Sequence, residues 1–216
     1  MYNHDYPMLR KYLYGLVAFA LAVGILSVSI LRSSLVNYAF AASKSTPTPK
    51  PQQMPEVDYV MTLPGKVLPG NLLWPVKATR DRIWYLFTFN HLKKAELALF
   101  FADKRLTSGQ SLFKANDSNL GLSTITKGEK YLEMAAREEE LSRGGGQDTS
   151  VFLAKLAAAS LKHWEIIEKD IIPGAPEEVR PHLTQLLVYS KTAFTKASET
   201  LISNGKESPK NPFQGQ

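Results

Sequence analysis

Leu92, Leu99, Leu106 and Phe113 recur every seven residues, and Ala95, Ala102 and Gly109 each follow three positions later. A strand turns its side chains over every second residue, whereas this period keeps the whole set on one narrow stripe of a helix. Large and small side chains alternate along the stripe, so a second helix can approach closely. A chain built on such a seam folds by packing helix against helix. No stretch alternates apolar and polar residues with period two for long, and no sheet is expected.

The rest of the chain follows the same grammar. Pro75 opens a first short helix over 75–89, whose apolar Val76, Ile83, Trp84, Leu86 and Phe87 favour one side. The seam helix starts behind Asn90, a capping residue, and is broken by Asn116–Asp117–Ser118–Asn119. A third helix over about 119–142 buries Leu122, Ile125, Leu132 and Ala135 or Ala136, and Gly144–Gly145–Gly146 ends it. Asp148 or Thr149 caps a fourth, with Leu153, Ala157, Ser160, Trp164, Ile167 and Ile171 inward, stopped by Pro173–Gly174–Ala175–Pro176. A fifth begins near Pro176 or after Pro181 and buries Leu183, Leu187, Ser190, Phe194, Ala197 and Leu201. Short connections make neighbours antiparallel. The expected fold is all-α: a four- to five-helix, mostly antiparallel bundle over residues 73–204, with coiled-coil-like packing in the seam and a disordered tail at 205–216. The hairpin of helices two and three has a tetratricopeptide-like spacing, but no second copy recurs near the period of about 34 residues that a solenoid needs.

Ahead of the bundle lies an uncharged run, residues 13–31, LYGLVAFALAVGILSVSIL. At ~1.5 Å per residue it spans roughly 28 Å as a helix, close to the hydrocarbon thickness of a bilayer. Arg10 and Lys11 precede it, which favours a cytoplasmic region at residues 1–12, although Arg32 follows on the far side. Its length suits a retained transmembrane anchor. Ala39–Phe40–Ala41 before Ala42 has the A-x-A form of a signal-peptidase site, so Ala39, Ala41 and Ala42 mark the competing reading, a cleaved signal peptide and a secreted product. Both readings place the C-terminal domain outside the cytoplasm. Residues 32–72, rich in Ser, Thr and Pro around Thr46–Pro47–Thr48–Pro49–Lys50–Pro51, read as an extended stalk.

Net charge is +6, yet basic and acidic residues are interspersed, with no concentrated stripe that would release counterions from a polyanion; nucleic acid is not an expected partner. The chain has no cysteine, which removes disulfides, thiolate metal sites and thiol nucleophiles.

The segments LPGNLLWPVKATRDRIWYLFTFNHLKKAELALFFADKRL, KGEKYLEMA and APEEVRPHLTQLL resemble a family of uncharacterised prokaryotic envelope proteins that carry a domain of unknown function. In that family an apolar N-terminus and a Pro/Thr-rich spacer precede a segment of the form LPG-x-LP-x-x-PLYPLK, a KKAELxLxFADKRL helix and a helix containing KAEKYL. The resemblance covers roughly residues 59–200, and the ADKRL helix is its most specific part. The chain departs from the pattern at Asn71–Leu72–Leu73–Trp74 and at Asn90–His91. The resemblance implies an all-α fold and an envelope location, and it implies no activity.

Catalytic constellations are missing from the sequence. His4, His91, His163 and His182 have none of the Glu-x-x-His or His-Glu-x-x-His spacing that builds bundle metal sites, and they read as surface or interface histidines. There is no nucleophile elbow and no phosphate-binding glycine loop. Glu138–Glu139–Glu140 reads as a solvated charge run. Glu96 and Asp103, seven apart beside the seam, are the candidate metal ligands, set against a plainer role in ion pairs that fix helix register. The functional expectation is a non-catalytic, extracytoplasmic helical interaction or structural module without a cofactor, in contact with the membrane through residues 13–31 and with an envelope protein or polymer through a bundle face. The alternative is an envelope ligand- or metal-sensing domain using Glu96, Asp103 and acids of the third helix. A hydrolytic accessory enzyme ranks third and requires two carboxylates facing one deep cleft.

Overall fold

The structure is a computed structural model, and it describes residues 57–213 together with Tyr14 and Leu16. The apolar run 13–31, the candidate cleavage site at Ala39, Ala41 and Ala42, and the spacer up to residue 56 lie outside the described residues, those two positions apart. The chain divides into two units, Met1–Pro51 and Gln52–Gln216, and the second contains the bundle.

Among the described residues of the second unit five α-helices follow in order: α1 (Trp74–Leu86), α2 (His91–Lys114), α3 (Ser118–Gly144), α4 (Ser150–Glu165) and α5 (Arg180–Ser203). Among the described residues there is no strand, and no helix is long and apolar enough to cross a membrane. Local chemistry explains the boundaries. The Asn90 side chain accepts a hydrogen bond from the Lys93 amide and starts α2, and Asp117 does the same for Leu120 at the start of α3. Three helices end alike. After α2, Asn116 takes φ 63°, its amide reaches the Phe113 carbonyl, and the Asp117 amide reaches that of Leu112. Gly146 after α3 and Gly205 after α5 close the same pair of backbone bonds.

The α2–α3 hairpin is the most extensive interface. Its close approach depends on glycine: a Cβ at Gly128 would lie 3.2 Å from the Ala102 carbonyl oxygen and from the Leu106 amide nitrogen of α2. The α5 face forms as its spacing predicts, with Leu183, Leu187, Ser190, Phe194, Ala197 and Leu201 all buried.

Three expectations need correction. The inner face of α4 does not continue as one α-helix: it passes into a π-helical turn at Ile166–Ile171 and a 3-10 turn at Ile172–Gly174. The wider turn lets Ile166, Ile167 and Ile171 all face inward before Pro173 stops the helix. The stalk ends earlier than residue 72, because Val57 is buried and its amide donates to Glu165 Oε2 at 3.3 Å. Ordered packing also runs past 204: Phe213 is buried and stacks on Trp164 with ring centroids 4.4 Å apart, so residues 205–213 are not a disordered tail.

Candidate functional site

The buried apolar side chains form two clusters, one around Leu99, Leu132, Leu156 and Phe194, the other around Leu106, Ile125, Ile167 and Leu183. A layer of polar side chains lies between them. Asp103 sits on α2 between Ala102 and Leu106 of the two clusters, Glu129 on α3 between Ile125 and Leu132, His163 on α4 between Leu161 and Ile166, and Ser190 on α5 between Leu187 and Ala193. His163 is 0% exposed, with Nδ1 2.7 Å from Glu129 Oε1 and Nε2 3.2 Å from Asp103 Oδ1. Both ring nitrogens therefore face carboxylate oxygens, which accept but do not donate, so the imidazole is held as the doubly protonated cation. Burial alone would push its pKa down. The Glu129 charge, the hydrogen bonds to Asp103 and Glu129, and the Asp103 charge together outweigh that penalty and raise it to about 9.

A strap formed by residues 57–62 covers this layer. Tyr59 donates its hydroxyl to Asp103 Oδ2 at 2.9 Å, Thr62 donates to the same oxygen at 3.3 Å, and Thr107 Oγ1 donates to the Thr62 carbonyl at 3.0 Å. Burial, followed by the adjacent Asp103, pushes the Tyr59 hydroxyl far above its ordinary range. A second cluster lies towards the end of α3. Glu138 accepts from Tyr85 of α1 at 3.0 Å and pairs with His91 Nδ1 of α2 at 2.7 Å, with the Lys94 ammonium 3.7 Å away. Burial acts to raise the Glu138 pKa, but the hydrogen bonds from His91 and Tyr85 and the positive charges nearby hold it below the ordinary value. Glu139 accepts from Thr149 at 2.6 Å and pairs with Arg143.

These placements correct several expectations. His163 is an interior ion, not a surface or interface histidine. Glu138 and Glu139 are buried and partnered, leaving only Glu140 of that run solvated. Glu96 and Asp103 are not brought together: Glu96 is exposed and Asp103 faces His163. Among the described residues no group of three or more His, Cys, Asp or Glu is placed to hold a metal ion. Asp103 and Glu129 face a buried cation rather than a cleft. An open groove of about 560 Å³ runs between α3 and α5, and Glu133, Arg137, Tyr189 and Lys196 are among its lining residues, but no member of the polar layer lines it.

The other unusual surface is α1, which is amphipathic in reverse. Asp81 and Tyr85 face the bundle, whereas Val76 (70% exposed), Ile83 and Phe87 (71% exposed) form a stripe facing outward, extended by Leu72 just before the helix. Leu73, Trp84, Leu86 and Phe89 widen it. The buried Asp81 carboxylate is held by Arg80 at 2.7 Å. Sequence periodicity finds this apolar face without saying which way it turns, and the usual rule that apolar stripes turn inward does not hold for it.

The family model for DUF5667, a domain of unknown function, matches residues 66–173. That span contains α1 to α4 and every charged member of the polar layer, and it leaves out α5 and the strap. No curated protein and no solved structure matches the chain.

Proposed function

Since the chain belongs to the DUF5667 family, we propose that its bundle is a non-catalytic interaction module held outside the cytoplasm by the apolar run at residues 13–31, with the outward face of α1 as its docking surface. The observation that carries this reading is the reversal of α1: a short helix hides its acid and its tyrosine and turns valine, isoleucine and phenylalanine to solvent. An exposed apolar patch of that kind, rimmed by charge, marks an interaction surface more often than an accident of packing. The polar layer supports the non-catalytic part. His163 is charged at neutral pH and sealed from solvent, so it neither accepts a proton as a general base nor meets a substrate.

The absence of cysteine makes the topology directly measurable. Lys206→Cys, on the exposed turn after α5, is expected to react with a membrane-impermeant maleimide added to intact cells of the native host. Labelling only after lysis would overturn the extracytoplasmic placement.

A further inference from the structure

Resting on that reading, we propose that the outward face of α1 docks on a lipid surface rich in anionic headgroups. Charge and aromatic content both favour this occupant. Between residues 59 and 95 the only acidic residue is Asp81, and it is buried and paired, while Arg80 and Arg82 are exposed on α1 itself and Lys66 and Lys93 are exposed in the segments before and after it. This stretch is therefore apolar at its centre, cationic beside it and free of exposed carboxylates, and the exposed acids nearest in sequence, Asp58 and Glu96, lie just beyond its two ends. Helices that lie in the membrane interface have this make-up, with Trp, Phe and Leu entering the acyl boundary and Lys or Arg meeting the headgroups. Trp84, Phe87 and Phe89 supply the aromatic side chains that favour that depth.

Chain length favours it too. Val57, the first described residue of the second unit, is buried in it, so no more than residues 32–56 separate the apolar run from the bundle. Even as fully extended polyproline, at about 3.1 Å per residue, it reaches no more than roughly 80 Å. A module tethered that closely meets the bilayer at a millimolar-scale effective concentration, and a modest intrinsic affinity suffices for it to stay docked.

The full chain, reconstituted in vesicles, tests this with a nitroxide on Val76→Cys and a control label on Val151→Cys, which is 87% exposed at the start of α4. In phosphatidylglycerol-containing vesicles the Val76 label is expected to gain collisions with oxygen and lose collisions with a water-soluble nickel chelate several-fold, while the Val151 label stays accessible to the chelate. Phosphatidylcholine vesicles, Arg82→Glu, which leaves the Arg80–Asp81 pair intact, or roughly 0.5 M salt, where the Debye length is about 4 Å, should each reduce the protection. Equal chelate accessibility at both labels in anionic vesicles would overturn the proposal. So would protection that persists in detergent and grows with protein concentration, which identifies a second copy as the occupant. An alkaline wash separates the two readings. A chain that washes off but still sediments with anionic vesicles at neutral pH keeps the docking surface and loses the anchor, and a chain that washes off and no longer sediments with them loses both.

Discussion

The polar layer and α1 invert the usual partition in opposite senses. In the layer, charges lie inside: Asp103, Glu129 and His163 sit at most a few per cent exposed between two apolar clusters. On α1, apolar side chains lie outside. The first inversion is met within the chain: the imidazolium pairs with both carboxylates and the strap donates to Asp103, with Glu129 Oε2 the one oxygen of the layer that is buried without a hydrogen-bond partner. The second has no counterpart among the described residues. Internal satisfaction marks an element that specifies the fold, and external incompleteness marks an element that awaits something else. The layer suits a register device: moving α3 by one turn along α2 would take Glu129 away from His163 and leave the Glu129 carboxylate buried without its cation.

Removing the cation should therefore produce the largest effect. His163→Leu leaves Asp103 and Glu129 uncompensated in the interior, and a loss of about 3–5 kcal/mol is expected in a urea melt. A loss of less than about 1 kcal/mol, within the range of an exposed ion pair, would show that the layer is not ionic. The same contrast appears with pH. The unfolded histidine titrates near 6.5 and the folded one near 9, so its contribution is complete below pH 6.5 and is lost as pH rises through 9. That interval corresponds to about 3 kcal/mol. Melts of the wild type from pH 6 to 10 should fall across this window, and those of His163→Leu should lack this component. A parallel profile for the two proteins would remove the charged-histidine assignment.

Close packing at the layer is the next target. At Gly128, beside Glu129, an added methyl meets the backbone of α2 at 3.2 Å, and backbone has little room to give. Gly128→Ala should cost about 1–3 kcal/mol in spite of alanine's better helix propensity. At Gly144, the last residue of the same helix, an added methyl would meet nothing within 4 Å. Gly144→Ala should instead gain about 0.4–1 kcal/mol. Equal effects at the two glycines would mean that α3 and α2 are not packed this closely.

Legibility in the sequence follows the distance between partners. The inner face of α5 is visible from spacing alone, and all six of its expected residues are buried. The α2 seam, the Asn90 cap and the glycine stop after α3 are equally local, and they form as read. His163 is opaque because its partners stand 34 and 60 positions away on other helices, and a search for acids one helical turn away finds none. Asp103 stands out beside the seam, but nothing in its neighbourhood names a histidine as its partner. The strap merges with the stalk because Tyr59 and Thr62 carry no periodic signal. On α1 the spacing gives the stripe correctly and leaves its direction open, since amphipathic spacing defines a face without saying what that face meets.

The smallest expected effect is the one that separates the two inversions most sharply. If the outward stripe of α1 contributes to docking and not to folding, polar replacements there should leave the bundle's stability almost untouched. Val76→Ser and Ile83→Ser are each expected to stay within about 0.5 kcal/mol of the wild type in a urea melt, as surface changes do. Leu201→Ala on α5, at a side chain 1% exposed, should cost about 2–5 kcal/mol in the same experiment. A loss at Val76 or Ile83 comparable to that at Leu201 would mean that the stripe is covered by the protein itself, and α1 would then be an ordinary core helix whose inner neighbour lies outside the described residues. A negligible loss leaves roughly four large apolar side chains in water with no folding role, and the hydrophobic cost of that exposure, of order 1.5–3 kcal/mol for each fully exposed side chain, is what a docking surface recovers when it is covered.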